Sequence, residues 1–331
     1  MAETKPLILV TGANGFVGRH LCKALLDQGW SVRGAVRRTD GLIPGVEQVV
    51  VKIDSKTEWR EILSGVSCVI HLAARVHDMK NSVEVDDYQR INTEATQQLA
   101  RAAARAGVSR FIFASSVKAV AEASPAGKSL NEHSIPYPRD AYGKSKLAAE
   151  QILAEISRRT GMDGVSFRLP LIYGPEVRAN FLRLIQLVDR GIPLPFRGIN
   201  NKRSLLYVGN LTDAFCKAII HPTPINSALM ISDNDDLSSA ELVELIAKGL
   251  ERKAHLIQIP LPLLKLLGHF GDVIRKINGT FPLTSEALNR LTDSLTVNTS
   301  RCQKILEWTP PCSAETGIQK TVNWYRGNRT D

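Results

Sequence analysis

Tyr142 and Lys146 stand four residues apart in the run Tyr142-Gly143-Lys144-Ser145-Lys146, a spacing that puts both side chains on one face of a helix. A free phenol, with a pKa of about 10, is a poor acid–base group at neutral pH. A neighbouring ammonium lowers that value toward the working range, so the pair is a candidate for moving a proton on and off an alcohol oxygen. Taken alone the spacing is common and usually marks an exposed helical pair. Its weight here comes from Ser115 and Ser116 upstream, at the end of an apolar run. A serine hydroxyl there could polarise a carbonyl or an alkoxide.

A second constellation opens the chain. Gly12, Gly15 and Gly18 lie in Thr11-Gly12-Ala13-Asn14-Gly15-Phe16-Val17-Gly18, directly after the apolar run Leu7 to Val10. A strand, a glycine turn carrying Asn14, and a helix begun by Phe16 and Val17 make a pyrophosphate cradle. The turn lets backbone approach the anion, and the helix start offers unpaired N–H groups. The ligand this implies is a nicotinamide dinucleotide, and Lys146 could also bond its ribose. An acid at the end of the second strand would bond the ribose hydroxyls of NAD, whereas arginine suits the 2′-phosphate of NADP. Arg37 and Arg38 occupy that place, which favours NADP(H), with NAD(H) the alternative. Ile53 closes the third strand, and Asp54 just after it could accept a hydrogen bond from the adenine amino group or could simply shape a turn.

These residues need a scaffold, and the first half supplies one by alternating β-branched runs with helical stretches. Strands are expected at Leu7 to Val10, Ser31 to Val36, Gln48 to Ile53, Cys68 to Leu72, Arg110 to Ala114 and Gly164 to Leu169. Helices are expected at Phe16 to Gln28, Asp86 to Ala106 and Arg139 to Thr160. The fold class that follows is α/β, a Rossmann-type doubly wound parallel sheet. Beyond residue 170 proline and glycine become frequent, as in loops that shape a pocket. The expected division is a dinucleotide-binding domain over residues 1–170, to which some later segments return, and a smaller substrate-binding lobe over 171–331.

Bulk properties narrow the classes. The 331 residues are 44% hydrophobic and 23% charged, a globular composition. No apolar run is long enough to span a membrane, and the start lacks a signal-peptide layout. The five cysteines are scattered and odd in number, which argues against disulfides or a metal site and for a reducing cytoplasm. The net charge of +9 is spread without a basic block, so nucleic acid is not an expected partner. Leu261 to Ile277 has an amphipathic pattern, read as packing against the lobe rather than as membrane contact.

Together the glycine turn, His71-Leu72-Ala73-Ala74, the serine pair, Tyr142 to Lys146 and Arg168-Leu169-Pro170-Leu171-Ile172-Tyr173-Gly174-Pro175 resemble the extended short-chain dehydrogenase/reductases. That family includes nucleotide-sugar 4-epimerases, dehydratases and 4-ketoreductases. The resemblance runs to Leu306-Glu307-Trp308-Thr309-Pro310, which is similar to a terminal stretch that usually carries glycine where Glu307 stands. It implies that Tyr142 is the general acid–base, Lys146 its partner, and Ser116 the substrate-polarising residue, with Ser115 the fallback. It implies that Leu72, Ala73 and Ala74 line the cofactor site after the fourth strand, with Pro170 against the nicotinamide. Asn180 would contact a nucleotide sugar, Arg203 would grip its diphosphate, and Arg290 would be a second phosphate contact. Asn92 would brace the active-site loops. A homodimer through the two long helices is a family habit.

The chain departs from the family after Ser116. Val117-Lys118 stands where dehydratases carry an Asp-Glu pair, which ranks dehydratase low, and the tyrosine usual in epimerases is missing from Val117 to Ala121. The stretch is closer to bacterial reductases of UDP-4-keto-6-deoxy-N-acetylhexosamines and to UDP-sugar 4-epimerases. The favoured expectation is an NADP(H)-linked 4-ketoreductase of such a UDP-sugar, serving surface polysaccharide synthesis. A 4-epimerase of UDP-glucose or UDP-N-acetylglucosamine with bound NAD is the alternative. A reductase of a non-nucleotide carbonyl, and a non-catalytic dinucleotide-binding sensor or scaffold, are further readings.

Overall fold

A computed structural model describes residues 6–328 except 40, 42, 76–84, 261, 264–265, 267 and 273–284. Strands β1 (Leu7–Thr11), β2 (Ser31–Val36), β3 (Glu47–Val50), β4 (Val66–His71), β5 (Arg110–Ser116) and β6 (Asp163–Leu169) are joined by helices. Between β1 and β2 runs α1 (Phe16–Asp27), burying Leu21, Cys22 and Leu25 on one stripe. Ahead of β5 come α2 (Val85–Tyr88), a π-helical segment (Gln89–Glu94) and α3 (Ala95–Arg105), and α4 (Ala141–Thr160) leads into β6. Asp140 caps α4 by accepting the Gly143 N–H at 2.7 Å, which satisfies a donor that the first turn would otherwise leave open.

The second half adds β7 (Leu171–Tyr173), α5 (Ala179–Asp189), β8 (Leu194–Arg197), β9 (Leu205–Tyr207), α6 (Val208–Ile220), β10 (Ala228–Met230), α7 (Ser239–Gly249) and β11 (Leu256–Gln258). Helices Ser285–Thr292, Ser300–Leu306 and Ala314–Gly327 follow.

The main sheet is parallel and seven-stranded, in the order β10-β6-β5-β4-β1-β2-β3. Strand order reverses between β1 and β4, and the crevice beyond their carboxyl ends is where such sheets hold ligands. One face packs on α1, α6 and Ser300–Leu306 through Leu21, Leu25, Leu211, Phe215 and Leu306. The other packs on α3 and α4 through Leu99, Ala103, Ala149 and Leu153. A second core gathers Tyr173, Phe181, Ile185, Val243, Ile246 and Ile318 around the small sheets β7-β9 and β8-β11. Among the described residues after 170, α6, β10 and Ser300–Leu306 belong to the layers of the first sheet.

Several expected elements end one or two residues away from their expected bounds, and two differ more. The third strand stops at Val50 instead of Ile53, because the Thr57 hydroxyl donates to the Lys52 carbonyl at 2.7 Å and accepts the Asp54 N–H at 2.9 Å. Those bonds turn the chain. The expected helix from Asp86 to Ala106 is three pieces with a π segment in the middle. The amphipathic stretch Leu261 to Ile277 lies partly outside the described residues. Within it Leu263, Leu266 and Phe270 are exposed, and no described helix is long and apolar enough to cross a membrane.

Candidate active site

The glycine turn is shaped by close approach. Gly12 has φ +69°, and a Cβ there would lie 3.1 Å from the Ala73 nitrogen. At Gly18 a Cβ would sit 2.2 Å from the Gly12 carbonyl oxygen, so α1 rests on the turn with no room for a side chain. Gly15 is the N-cap of α1 and supplies no capping group, and the first turn holds no acid. The N–H groups of Phe16 and Val17 thus open the helix uncapped by side chains, at its partially positive end. A pyrophosphate fits that cradle. Asn14 reaches the Arg38 carbonyl at 3.4 Å, tying the turn to the end of β2. Arg37 and Arg38 are exposed there. Ile53 packs on the α3/α4 core, and Asp54 accepts the Lys56 N–H at 2.9 Å.

Beneath the turn runs a directional chain of hydrogen bonds. The Thr96 hydroxyl donates to the Asn92 carbonyl at 2.7 Å, so its oxygen accepts from His71 Nε2–H at 3.0 Å. His71 Nδ1 is then an acceptor, bonded by the Thr11 hydroxyl at 2.7 Å, and Thr11 Oγ1 accepts the Ala73 N–H at 3.2 Å. Burial, with Lys146 adding to it, pushes the imidazole down to about 3, which keeps His71 neutral as this pattern requires. The loop Leu72 to Ala74 is fixed by these bonds. Asn92, in the π segment, accepts the Arg75 N–H at 2.7 Å and donates to the Arg75 carbonyl at 3.0 Å and to Ser145 Oγ at 3.1 Å. One side chain thereby clamps the loop after β4 to α4.

At the end of β5 the two serines part company, as neighbours on a strand must. Ser115 donates to the Glu150 carboxylate, which Arg168 grips through Nε and Nη2 at 2.8 to 3.2 Å. Its hydroxyl is thereby committed away from any substrate. Ser116 Oγ accepts the Lys118 N–H at 3.2 Å and acts on the Tyr142 phenol, opposing the rise of its pKa. Lys146 Nζ donates to the Ala114 carbonyl at 2.7 Å and lies 4.6 Å from the Phe113 ring centroid and 5.8 Å from that of Tyr142.

Burial lowers the Lys146 ammonium to about 7, against the pull of Glu150. Burial raises the Tyr142 phenol to about 12. Ser116 opposes that rise, while Asp140 and Tyr88 add to it. Without further positive charge the phenol stays protonated at neutral pH; a cationic nicotinamide ring beside it would lower its pKa.

Sequence reasoning missed Glu150 and Arg168 as a pair. The signal was present: Glu150 lies four residues beyond Lys146 and eight beyond Tyr142, on one helical face.

On the other side of the crevice, Pro170 is buried between β6 and β7. Asn180 is exposed in the first turn of α5. Arg203 is held by backbone bonds to Leu237 at 2.8 and 3.1 Å, and its Nη1 donates to the Asp293 carbonyl at 3.0 Å. Arg290 falls on Ser285–Thr292, with its side chain outside the described residues. Asp233 braces this side by accepting from Tyr173 Oη, Asn210 Nδ2 and the Tyr207 N–H.

Known proteins resemble the chain over most of its length. The pattern described as the NAD dependent epimerase/dehydratase family matches residues 8–230. The chain is 36% identical over 322 residues to a UDP-glucose 4-epimerase of Vibrio cholerae, covering 96% of this chain and 95% of that one. It is 26% identical over 279 residues to the N-acetyl-alpha-D-glucosaminyl-diphospho-ditrans,octacis-undecaprenol 4-epimerase of Escherichia coli O157:H7, covering 82% and 81%. Among solved structures, MoeE5 in complex with UDP-glucuronic acid and NAD matches with a TM-score of 0.76 at 25% identity, covering 97% of this chain and 99% of that one.

Proposed function

The chain belongs to the NAD-dependent epimerase/dehydratase family, and from that premise we propose that it is a 4-epimerase of a UDP-linked hexose or N-acetylhexosamine. The observation that carries this reading is the full-length likeness to the Vibrio cholerae enzyme. NAD, when bound, supplies the acceptor and donor of the hydride. Tyr142 holds and returns the proton of the C4 hydroxyl, and Ser116 bonds the same oxygen. Lys146 adds positive charge beside the phenol. The glycine turn with Gly12, Gly15 and Gly18 carries the pyrophosphate, and Leu72, Ala73, Ala74 and Pro170 enclose the cofactor. Asn180 and Arg203 are assigned to the nucleotide sugar, since a guanidinium can bond two diphosphate oxygens at once.

A dehydratase is disfavoured because Val117 and Lys118 supply no acid after Ser116. A cytoplasmic setting is part of the same proposal. Pairing of two copies through α3 and α4 belongs to the same proposal, and light scattering giving twice the mass of the chain would support it.

A second reading has its own observation. Arg37 and Arg38, exposed at the end of β2, are suited to a 2′-phosphate, which favours NADPH and a 4-ketoreductase of a UDP-4-keto sugar. One experiment separates the two. Purified protein is incubated with UDP-glucose or UDP-N-acetylglucosamine and no added cofactor, and separately with a UDP-4-keto-6-deoxy sugar and NADPH. Formation of the C4 epimer in the first supports the epimerase; oxidation of NADPH in the second alone replaces it with the reductase.

A further inference from the structure

The first turn of α4 carries Tyr142, and one residue outside the helix meets the start of that turn through both its backbone and its side chain. Lys118 follows Ser116 in the 3-10 turn Val117–Ala119 and donates its backbone N–H to Ser116 Oγ at 3.2 Å. Its carbonyl oxygen packs on Gly143, where a Cβ would come within 2.4 Å. Its ammonium lies 2.6 Å from Asp140 Oδ2, while Asp140 Oδ1 accepts the Gly143 N–H at 2.7 Å. Both partners are partly shielded, their side chains 28% and 35% exposed, and Glu122 stands 3.7 Å from the same ammonium.

We propose that Lys118 is a positioning residue for Tyr142. Its ion pair with Asp140 holds the start of α4 against the end of β5, and its charge screens the phenol from the Asp140 carboxylate. The role given to Tyr142 comes from the proposed function, but the ionisation of its phenol can be followed without any substrate.

The groups that face the phenol can be named. From α4 come Asp140 and Lys146. From α2 comes Tyr88, its ring centroid 6.2 Å away, with Arg75 of the loop after β4 acting on Tyr88. From the end of β5 comes Ser116, while Lys118 and Glu122 in and beyond the following turn act on Asp140. Asp140 and Tyr88 oppose loss of the phenol proton. Lys118 is the cation paired directly with Asp140, so removing it leaves that carboxylate to act on the phenol in full.

The test is a tyrosinate absorbance titration of the NAD-loaded protein, each variant read against its own Tyr142→Phe counterpart. Lys118→Met should raise the midpoint of Tyr142 by about one pH unit. Asp140→Asn, which keeps a capping oxygen, should lower it. The double variant should return close to the parent, and Lys118→Arg should match the parent. Midpoints that do not move, or that move in the same direction in both single variants, overturn the proposal. If Lys118→Met does not fold, Asp140→Asn decides alone: no downward shift overturns it. A protein that titrates as expected yet epimerises neither UDP-sugar retains this inference and loses the proposed function.

Discussion

Ser115 and Glu150 are hydrogen bonded behind the carboxyl edge of β5, and Arg168 closes the group from β6. The bond separates two serines that are indistinguishable in sequence. Ser116→Ala should lower kcat by about 10² or more, since it removes a group that bonds the reacting oxygen. Ser115→Ala should leave kcat within a few-fold of the parent and instead cost about 1 to 2 kcal/mol of stability, because a buried carboxylate loses a donor. Steady-state kinetics and thermal melting on both variants check this. Equal kinetic losses would mean that Ser115 also serves the substrate.

Tyr142→Phe should reduce turnover by about 10² to 10⁴ while leaving NAD affinity near the parent value. Calorimetry for the cofactor and chromatography of UDP-sugars for turnover give the two readings. Retained turnover would shift the acid–base role elsewhere; a parent protein that binds NAD but turns over no UDP-sugar would revive the sensor reading.

Glu241 offers a pH test of stability. It completes a capping box on α7: Ser238 Oγ accepts the Glu241 N–H at 3.1 Å and Glu241 Oε2 accepts the Ser238 N–H at 2.7 Å, with Lys202 Nζ 2.8 Å away. The Lys202 ammonium first, then the Ser238 N–H, hold its carboxyl down to about 2 from the ordinary 4.5. The folded value lies below the unfolded one, so the contribution is complete above 4.5 and is lost as pH falls through about 2. The carboxylate is 47% exposed, and solvent screening keeps it under about 1 kcal/mol. Glu241→Gln should therefore melt slightly below the parent at neutral pH, and the gap should close on acidification and shrink in high salt. A gap that persists at low pH would trace it to packing instead.

Glu307 sits at φ +47°, in the left-handed conformation that ends Ser300–Leu306. It occupies a place where the resembling families carry glycine. Behind it Trp308 is buried, with Nε1 donating to Asp213 at 2.7 Å. Glu307→Gly should raise stability by about 0.5 to 1 kcal/mol, because glycine adopts this conformation without steric cost. Glu307→Ala should bring no such gain. Chemical denaturation distinguishes them.

The strand–turn–helix of the cofactor site was legible because its information is local: apolar run, glycines and helix face follow one another within about twenty residues. Tyr142 and Lys146 were legible for the same reason. What joins them was not. The helical face marks Glu150 and the family resemblance marks Asn92, but their partners Arg168 and Arg75 lie on other elements, and the pattern within one element carries no trace of them. The early end of the third strand turned on one threonine hydroxyl, a bond that apolar periodicity cannot register. The return of α6 and β10 to the first sheet followed from which core each could join, a tertiary competition not visible in either segment alone.

The six-residue π segment around Asn92 works as a phase shifter. Each residue of an α-helix advances about 100° around its axis, and a π turn holds one more residue than the α turn it replaces. Winding the same six residues as a regular α-helix would swing α2 by about that angle relative to α3. Asn92 would then face away from Arg75 or from Ser145, though no residue of the pocket had been altered. A change of winding alone, outside every recognisable motif, would disconnect the cofactor loop from the helix that carries Tyr142.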